Sequence, residues 1–390
     1  MEPIITIVIP TLNRQKYAAI LVQSVLELIP NCQVVVNDNS DNDSLREMLC
    51  DSLSDPRLSY KYFKQVMSVV ENFNSALERA QGRYICFLGD DDMIGPRFLS
   101  YVEWAEKNKI EAILYRNKGR VIHYFWPGVS SPRWGDLGGK LFFSDFSGEI
   151  TPSAIPRAIK DAINHLGSGP RNMPRIYLGI VSRELIWRVQ ECYGLLFGGF
   201  SPDIYSSHLL STCCGKAAVV DFPFIIPGAS PKSTSAARAE RSDVGGLTTN
   251  DHIGRFTQVD WDKRIPMYYS PNSVWAQSHL MALVKTEMKP PIRAFAYLYA
   301  TLLVFTPKQA VRFVPTAIIA HLGVWRRLLV STTTLLYLLP VAVAYAFSKI
   351  PTFLVGKPGA ARHSIVGLAD TRGALDHLSV LMEPPESLSS

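Results

Sequence analysis

A chain of 390 residues has room for one α/β domain of about 200 to 250 residues with something attached, which excludes a minimal stapled scaffold. Apolar residues make up 47% and charged residues only 19%, a balance that suits a large core or a membrane-facing part. The net charge of +6 is unevenly placed: residues 288–369 contain no Asp or Glu but include Lys289, Arg293, Lys308, Arg312, Arg326, Arg327, Lys349, Lys357 and Arg362. Apolar runs at 295–305 and 328–347 separate these charges, which favours an anionic lipid surface over nucleic acid as the partner of this tract.

Six cysteines without a C-x-x-C pair read as reduced thiols of a cytosolic protein. The opening MEPIITIVIPTLNR lacks the basic start and long apolar region of a signal peptide, so the catalytic part is expected in the cytoplasm.

Residues 4–9 form a short β-branched run ended by Pro10, the pattern of a buried parallel strand. Helical spacing follows over 17–29, then a second buried strand at 33–36 is cut off by the turn-forming run NDNSDND. A helix is expected over 44–53, a strand over 58–63, a helix over 71–80 closed by Gly82, and a strand over 84–88 leading directly into GDDD. This alternation implies a parallel sheet with right-handed crossovers and a ligand crevice at the C-terminal strand ends, where both acidic clusters, 38–43 and 90–92, fall. Farther on, strands are expected near 112–115, 120–126, 176–181 and 217–226, and a helix near 156–166. Residues 126–155 read as an irregular insertion. Residues 227–251 are polar, rich in small side chains and read as a mobile loop.

Three adjacent carboxylates repel one another and gain nothing as packing. Asp90, Asp91 and Asp92 therefore suit an oxygen-ligated Mg²⁺ or Mn²⁺ that keeps positions open for substrate phosphates, or else an acidic surface turn or cap.

The ordered set ITIVIPTLNR, VVVNDNSDND and ENFNSALERAQGRYICFLGDDDMIGP resembles the family 2 glycosyltransferases, closely over residues 4–100 and more faintly over 170–235. The resemblance implies a GT-A type fold, α/β with a mixed, mainly parallel sheet flanked by helices, and an inverting transfer of sugar from a nucleotide-sugar donor, most commonly a uridine one. It implies that Pro10, Thr11 and Arg14 lie beside the nucleotide, that Asp38 accepts hydrogen bonds from base or ribose, and that Asp90 contacts sugar or ribose. Asp91 would be the main metal ligand, with Asp92 supporting it. Asn37 and Gly89 stand where many members have Asp.

The family's later acidic site is similar to YGLLFGGFSPDIYSS, which makes Asp203 the candidate base, although Pro202 replaces a common Glu; Ser201-Pro202 also reads as a simple helix start. His208 is a candidate acceptor or diphosphate contact, or a structural histidine. Lys232, Arg238 and Arg241 are candidates to close over the diphosphate, or a solvated basic loop.

Residues 328–347, twenty without a charge, are long enough to span a bilayer. Four consecutive hydroxyls, an internal Pro340 and basic residues at both ends favour helices lying in the inner membrane face instead. A helical subdomain packed on the catalytic core is the soluble alternative. The expected organisation is a catalytic domain over 1–255, a connector over 256–290, a membrane-associated helical region over 291–355 and a tail over 356–390. The expected partners are the donor, a saccharide or lipid-linked acceptor of a surface polysaccharide, and the membrane. The rivals are a non-catalytic scaffold, and a sugar nucleotidyltransferase, which would want a Gly-rich loop where this chain has PTLNRQKY.

Overall fold

The computed structural model describes residues 2–115, 122–132, 134–231, 233–240, 243–347 and 361–381. The first hundred residues alternate as their pattern requires: β1 (Ile5–Thr11), α1 (Gln15–Leu28), β2 (Cys32–Asp38), α2 (Ser44–Met48), β3 (Leu58–Tyr62), α3 (Val69–Leu77) and β4 (Tyr84–Phe87). Helix α2 stops short of the expected 53, where Asp51, Ser52 and Ser54 favour turns over helix. Then follow β5 (Met93–Ile94), α4 (Phe98–Lys107), β6 (Ala112–Tyr115), β7 (Ile122–Phe125), β8 (Ser130–Ser131), β9 (Gly135–Asp136), β10 (Lys140–Phe143), β11 (Ile150–Pro152) and α5 (Ile155–Asn164). The second half contains β12 (Ile180–Ser182), α6 (Arg183–Tyr193), α7 (Pro202–Cys213), β13 (Ala217–Val220), β14 (Ile225–Ile226), β15 (Gly228–Ala229), α8 (Thr234–Glu240), α9 (Asp251–Gly254) and α10 (Pro271–Lys285). The basic, apolar tract is helical, with α11 (Ile292–Phe305), α12 (Pro307–His321) and α13 (Val324–Phe347), and the chain ends in β16 (His363–Ile365) and α14 (Thr371–Leu381).

Eight strands form the main sheet in the order β11-β13-β6-β12-β4-β1-β2-β3, with only β12 and β11 antiparallel to their neighbours. Both faces are covered, so successive residues serve opposite cores. Ile5, Ile7 and Ile9 of β1 pack with α1 and α4, whereas Val8 packs with Phe73, Phe87 and Leu209 on the other face.

Two expectations of irregular chain are corrected. Residues 126–155 contain β10, which pairs with β7 and with the distant β16 in a second sheet, β15-β7-β10-β16. Residues 227–251, expected as a loop, contribute β15 to that sheet and fold into α8. Both stretches carry strands too short to show a period, and their partners lie far away in sequence.

Helices α10 to α13 enclose a separate core built on Phe295, Leu298, Tyr299 and Leu302 of α11. Residues 256–290 include the 15 residues of α10, whose His279, with the following Thr286, meets His208 of α7.

Candidate active site

The parallel ladder places Thr11 opposite Asp38 at the ends of β1 and β2. The β1–β4 ladder ends at Val8 opposite Phe87, after which β4 diverges and carries Gly89 to Asp92 over the end of β1. Pro10 lies past that last pair, where its missing N–H costs no bond to β4. Asn13 adopts φ 55°, a left-handed conformation that Asn tolerates, and its side chain binds Asp41 while its N–H reaches Ser40. The turn PTLNR is thereby tied to the turn NDNSDND, a union of two motifs some thirty residues apart.

The acidic triplet is buried and each member has a different partner. Asp90 accepts the Thr11 hydroxyl at 2.7 Å and pairs with Arg14 at 2.8 Å. Asp91 turns Oδ2 toward Arg14 at 3.3 Å and accepts both the N–H and the hydroxyl of Ser230, at 2.8 and 2.7 Å. Its Oδ1 accepts no hydrogen bond among the described residues. Asp92 is a clamp, because its two oxygens accept the backbone N–H of Gly89 at 2.7 Å and of Gly228 at 2.8 Å. Glycine is needed at 228, where an added Cβ would stand 1.8 Å from the Asp91 carbonyl.

Electrostatics follows from this crowding. Burial pushes the Asp90 and Asp92 carboxyls up, and the Asp91 charge adds to it; Arg14 opposes the rise at Asp90, and the Gly228 and Gly89 amides oppose it at Asp92. Burial also works against the Arg14 charge, but Asp90 and Asp91 outweigh it. One guanidinium thus faces three carboxylates. Asp38 is raised by burial too, and is held by the Ser40 N–H at 3.0 Å and the Tyr60 hydroxyl at 3.1 Å.

Asp203 begins α7, with Ser201 as the residue before the helix and Pro202 in its first turn. Ser201 donates its hydroxyl to Asp203 instead of capping the backbone. Burial lifts the Asp203 carboxyl above its usual range, against the Ser201 hydroxyl, the helix-end amides and Arg175. The Tyr177 hydroxyl lies between the two acidic groups: it donates to Asp92 at 3.4 Å and is pushed up by burial first, then by Asp92, Asp91 and Asp203. Leu178, at φ 55°, makes the bend after Tyr177, an uncommon conformation for a branched apolar residue.

The structure therefore gathers Pro10, Thr11, Arg14, Asp38 and Asp90 to Asp92 at one end of the sheet, and the charge of Asp203 reaches the Tyr177 hydroxyl that binds Asp92. His208 stays out of this group: its ring nitrogens meet Thr286 at 3.0 Å and His279 at 3.3 Å, and burial pushes its pKa down to about 4. Arg238 lies over the Trp275 ring. Lys232 and Arg241 lie outside the described residues. Sequence reasoning missed Tyr177, Gly228, Ser230 and Trp126, whose indole N–H donates to the Asp91 carbonyl at 2.8 Å. Only the Pro-Gly pair at 227–228 carried any local signal.

The carboxylates at the C-terminal ends of this mainly parallel sheet, with sparse protein counter-charge, stand where open α/β sheets take their ligands. Residues 6–144 match the model of Glycosyl transferase family 2. The chain is 32% identical over 131 residues to TuaG of Bacillus subtilis (strain 168), named for teichuronic acid biosynthesis, covering 33% of this chain and 48% of that protein. It is 34% identical over 197 residues to WcaA of Escherichia coli (strain K12), named for colanic acid biosynthesis, covering 49% of this chain and 60% of that protein. The chain thus spans about half of the first relative and three-fifths of the second. Among solved structures, TarS 1–349 of S. aureus with UDP-GlcNAc aligns at TM-score 0.44 and 12% identity, over 89% of this chain and 92% of that one. The mannosyltransferase PcManGT of Pyrobaculum calidifontis with GDP-Man and Mn²⁺ aligns at 0.42 and 15%, over 91% and 86%.

Proposed function

We propose that this protein is an inverting, divalent-metal-dependent glycosyltransferase of surface-polysaccharide synthesis, moving a sugar from a nucleotide donor, a UDP-sugar by family prevalence, to a saccharide or lipid-linked acceptor. The observation that carries the reading is the convergence of Thr11, Arg14, Asp38, Asp90 and Asp91 at the strand ends. Asp38 is placed for base or ribose, and Thr11 and Arg14 for the phosphates. Asp203 is the group to take the acceptor hydroxyl proton on the face opposite the leaving nucleotide.

The donor set fits Mg²⁺ or Mn²⁺. Among the described residues no three His, Cys, Asp or Glu side chains form a closed metal cage. Such an ion is commonly held by one or two carboxylates with substrate phosphates completing its shell. Asp91 offers the open oxygen Oδ1, and Asp90 has a buried Oδ1 whose one partner is the Arg14 ion pair. Asp92, with both oxygens on backbone amides, supports the loop. When bound, the ion would supply charge stabilisation to the leaving diphosphate. The test is release of nucleoside diphosphate from a panel of nucleotide sugars, with Mn²⁺ and with chelator. Turnover of one donor that chelator abolishes is expected; no binding or turnover of any donor, even with lipid extract as acceptor, would favour the scaffold alternative.

The protein is further proposed to sit on the inner membrane face without crossing it. Helix α13 packs Val330, Thr334 and Val341 inward and presents Trp325, Leu328, Leu329, Leu335, Leu336 and Leu339 to the outside, with only 11% of its apolar stretch buried. By length it could span a bilayer. Against a span, β16 pairs with β10 at Leu141↔Ile365 and Arg372 of α14 reaches Gln23 and Glu27 of α1, so the chain beyond α13 is joined to the catalytic domain. Residues 348–360, thirteen in all, separate the two, fewer than the roughly 20 a returning helix needs. Each outward Leu would gain about 1.5–3 kcal/mol on burial in acyl chains. In flotation assays the full chain should bind vesicles rich in phosphatidylglycerol, and the double variant Leu335→Glu, Leu336→Glu should stay in solution. Equal flotation of the two proteins would remove the helix from the membrane account.

A further inference from the structure

Arg175 lies in the segment between α5 and β12, two residues before Tyr177, and no motif pointed to it. Its Nε is sealed from solvent and has no hydrogen-bond partner. Its Nη2 reaches the Tyr115 carbonyl only at 3.5 Å, and the guanidinium lies 5.5 Å from the Tyr115 ring centroid. Arg57, Arg188 and Arg264 are matched with Asp55, Glu111 and Asp262, and Arg79, which has no carboxylate, is held by the Val36 and Ser59 carbonyls, Asn37 and the Ser59 hydroxyl. Among the described residues no carboxylate is within ion-pair distance of Arg175. The stretch 116–121 after Tyr115 reads RNKGRV and has no acid to offer.

Enclosing a guanidinium without an ion-pair partner is costly, because it remains charged whatever its surroundings. The charges that act on Arg175, after the burial that lowers its pKa, are Tyr115 and Asp203; the acidic triplet is not among them. Its segment also carries Tyr177, which donates to Asp92 at 3.4 Å, and Asp203 is the carboxylate whose charge reaches Arg175.

We propose that Arg175 forms an anion subsite for the acceptor, taking a carboxylate or phosphate group carried near the hydroxyl that Asp203 deprotonates. The inference rests on Asp203 being the base. A guanidinium presents a planar fork of N–H donors that suits either group, and with Nε sealed the end offered to a ligand is the Nη pair, held among the described residues only by the 3.5 Å contact to the Tyr115 carbonyl. It also separates two negative groups that would otherwise repel, the Asp203 carboxylate and the acceptor's anion.

The test uses the full chain saturated with UDP, so that the donor side is occupied, and compares methyl glucoside, methyl glucuronide and glucose 6-phosphate by calorimetry. At least one anionic probe should bind about tenfold or more tightly than the neutral one. Preference for the glucuronide names a uronic acid acceptor, and preference for the phosphate names a phosphorylated one. Arg175→Gln should erase the preference. Arg175→Lys, which keeps the charge and loses the fork, should retain part of it and covers the case in which the glutamine variant does not fold. Equal binding of neutral and anionic probes to the native protein, or a preference that survives in Arg175→Gln, overturns the subsite. Failure of UDP, and of every other nucleoside diphosphate put in its place, to bind would instead count against the transferase reading, so the two failures are distinguishable.

Discussion

Asp203→Asn should lower kcat by about 10²–10⁴-fold, the usual contribution of a positioned general base, while donor binding stays unchanged. The amide can still accept the Ser201 hydroxyl that orients the carboxylate, so the helix start should survive and the loss should reflect proton transfer. A pH profile gives the sharper reading. Burial raises the folded-state pKa of Asp203, and a base works only when deprotonated. Activity of the native protein should therefore rise with pH through a value above the ordinary aspartate range and fall as the pH drops below it. That acid limb should be missing from the residual activity of Asp203→Asn. A variant with native kcat, or one that loses donor affinity in proportion, would remove Asp203 from the role of base.

Asp91→Asn should reduce metal-dependent turnover by about 10²–10³-fold, the scale of removing one electrostatic stabiliser from a transition state. The substitution keeps an oxygen for the Ser230 N–H and hydroxyl, and Arg14 keeps Asp90 as its ion-pair partner, so the loop should hold its shape. What disappears is the one charge in the triplet with an open oxygen. Mn²⁺ titration followed by electron paramagnetic resonance should show weaker binding to the variant in the presence of UDP, independently of any turnover. Unchanged Mn²⁺ binding together with full activity would leave the triplet as a structural turn.

The N-terminal half of the site was legible because it is built from local, repeated signals. Each of β1, β2 and β4 is a continuous apolar run ended by a turn, which is how a strand covered on both faces must read. In a parallel sheet such strands end on one side, so the positions of Thr11, Asp38 and Asp90 followed from strand order alone. The helix start at Ser201-Pro202 was equally local, and it placed Asp203 in a first turn before its neighbours were known.

The second sheet had no such signal. Strands β7, β10, β15 and β16 contain two to four residues each and are joined across as many as 224 positions, from Leu141 to Ile365, so nothing in their neighbourhood announces the pairing. Yet that sheet carries Gly228 and leads to Ser230, the groups that bind Asp92 and Asp91.

Sequence alone determined the alternation of strands and helices over the first hundred residues, the chemistry at the ends of those strands and the apolar, basic character of the C-terminal tract, because these depend on residue type and short-range period. Tertiary structure decided which carboxylate is left open, which histidine is sequestered against α10, which arginine is enclosed without a counter-ion, and that the chain beyond α13 rejoins the catalytic domain. Each of those depends on contacts between residues distant in the chain, and no local pattern encodes them.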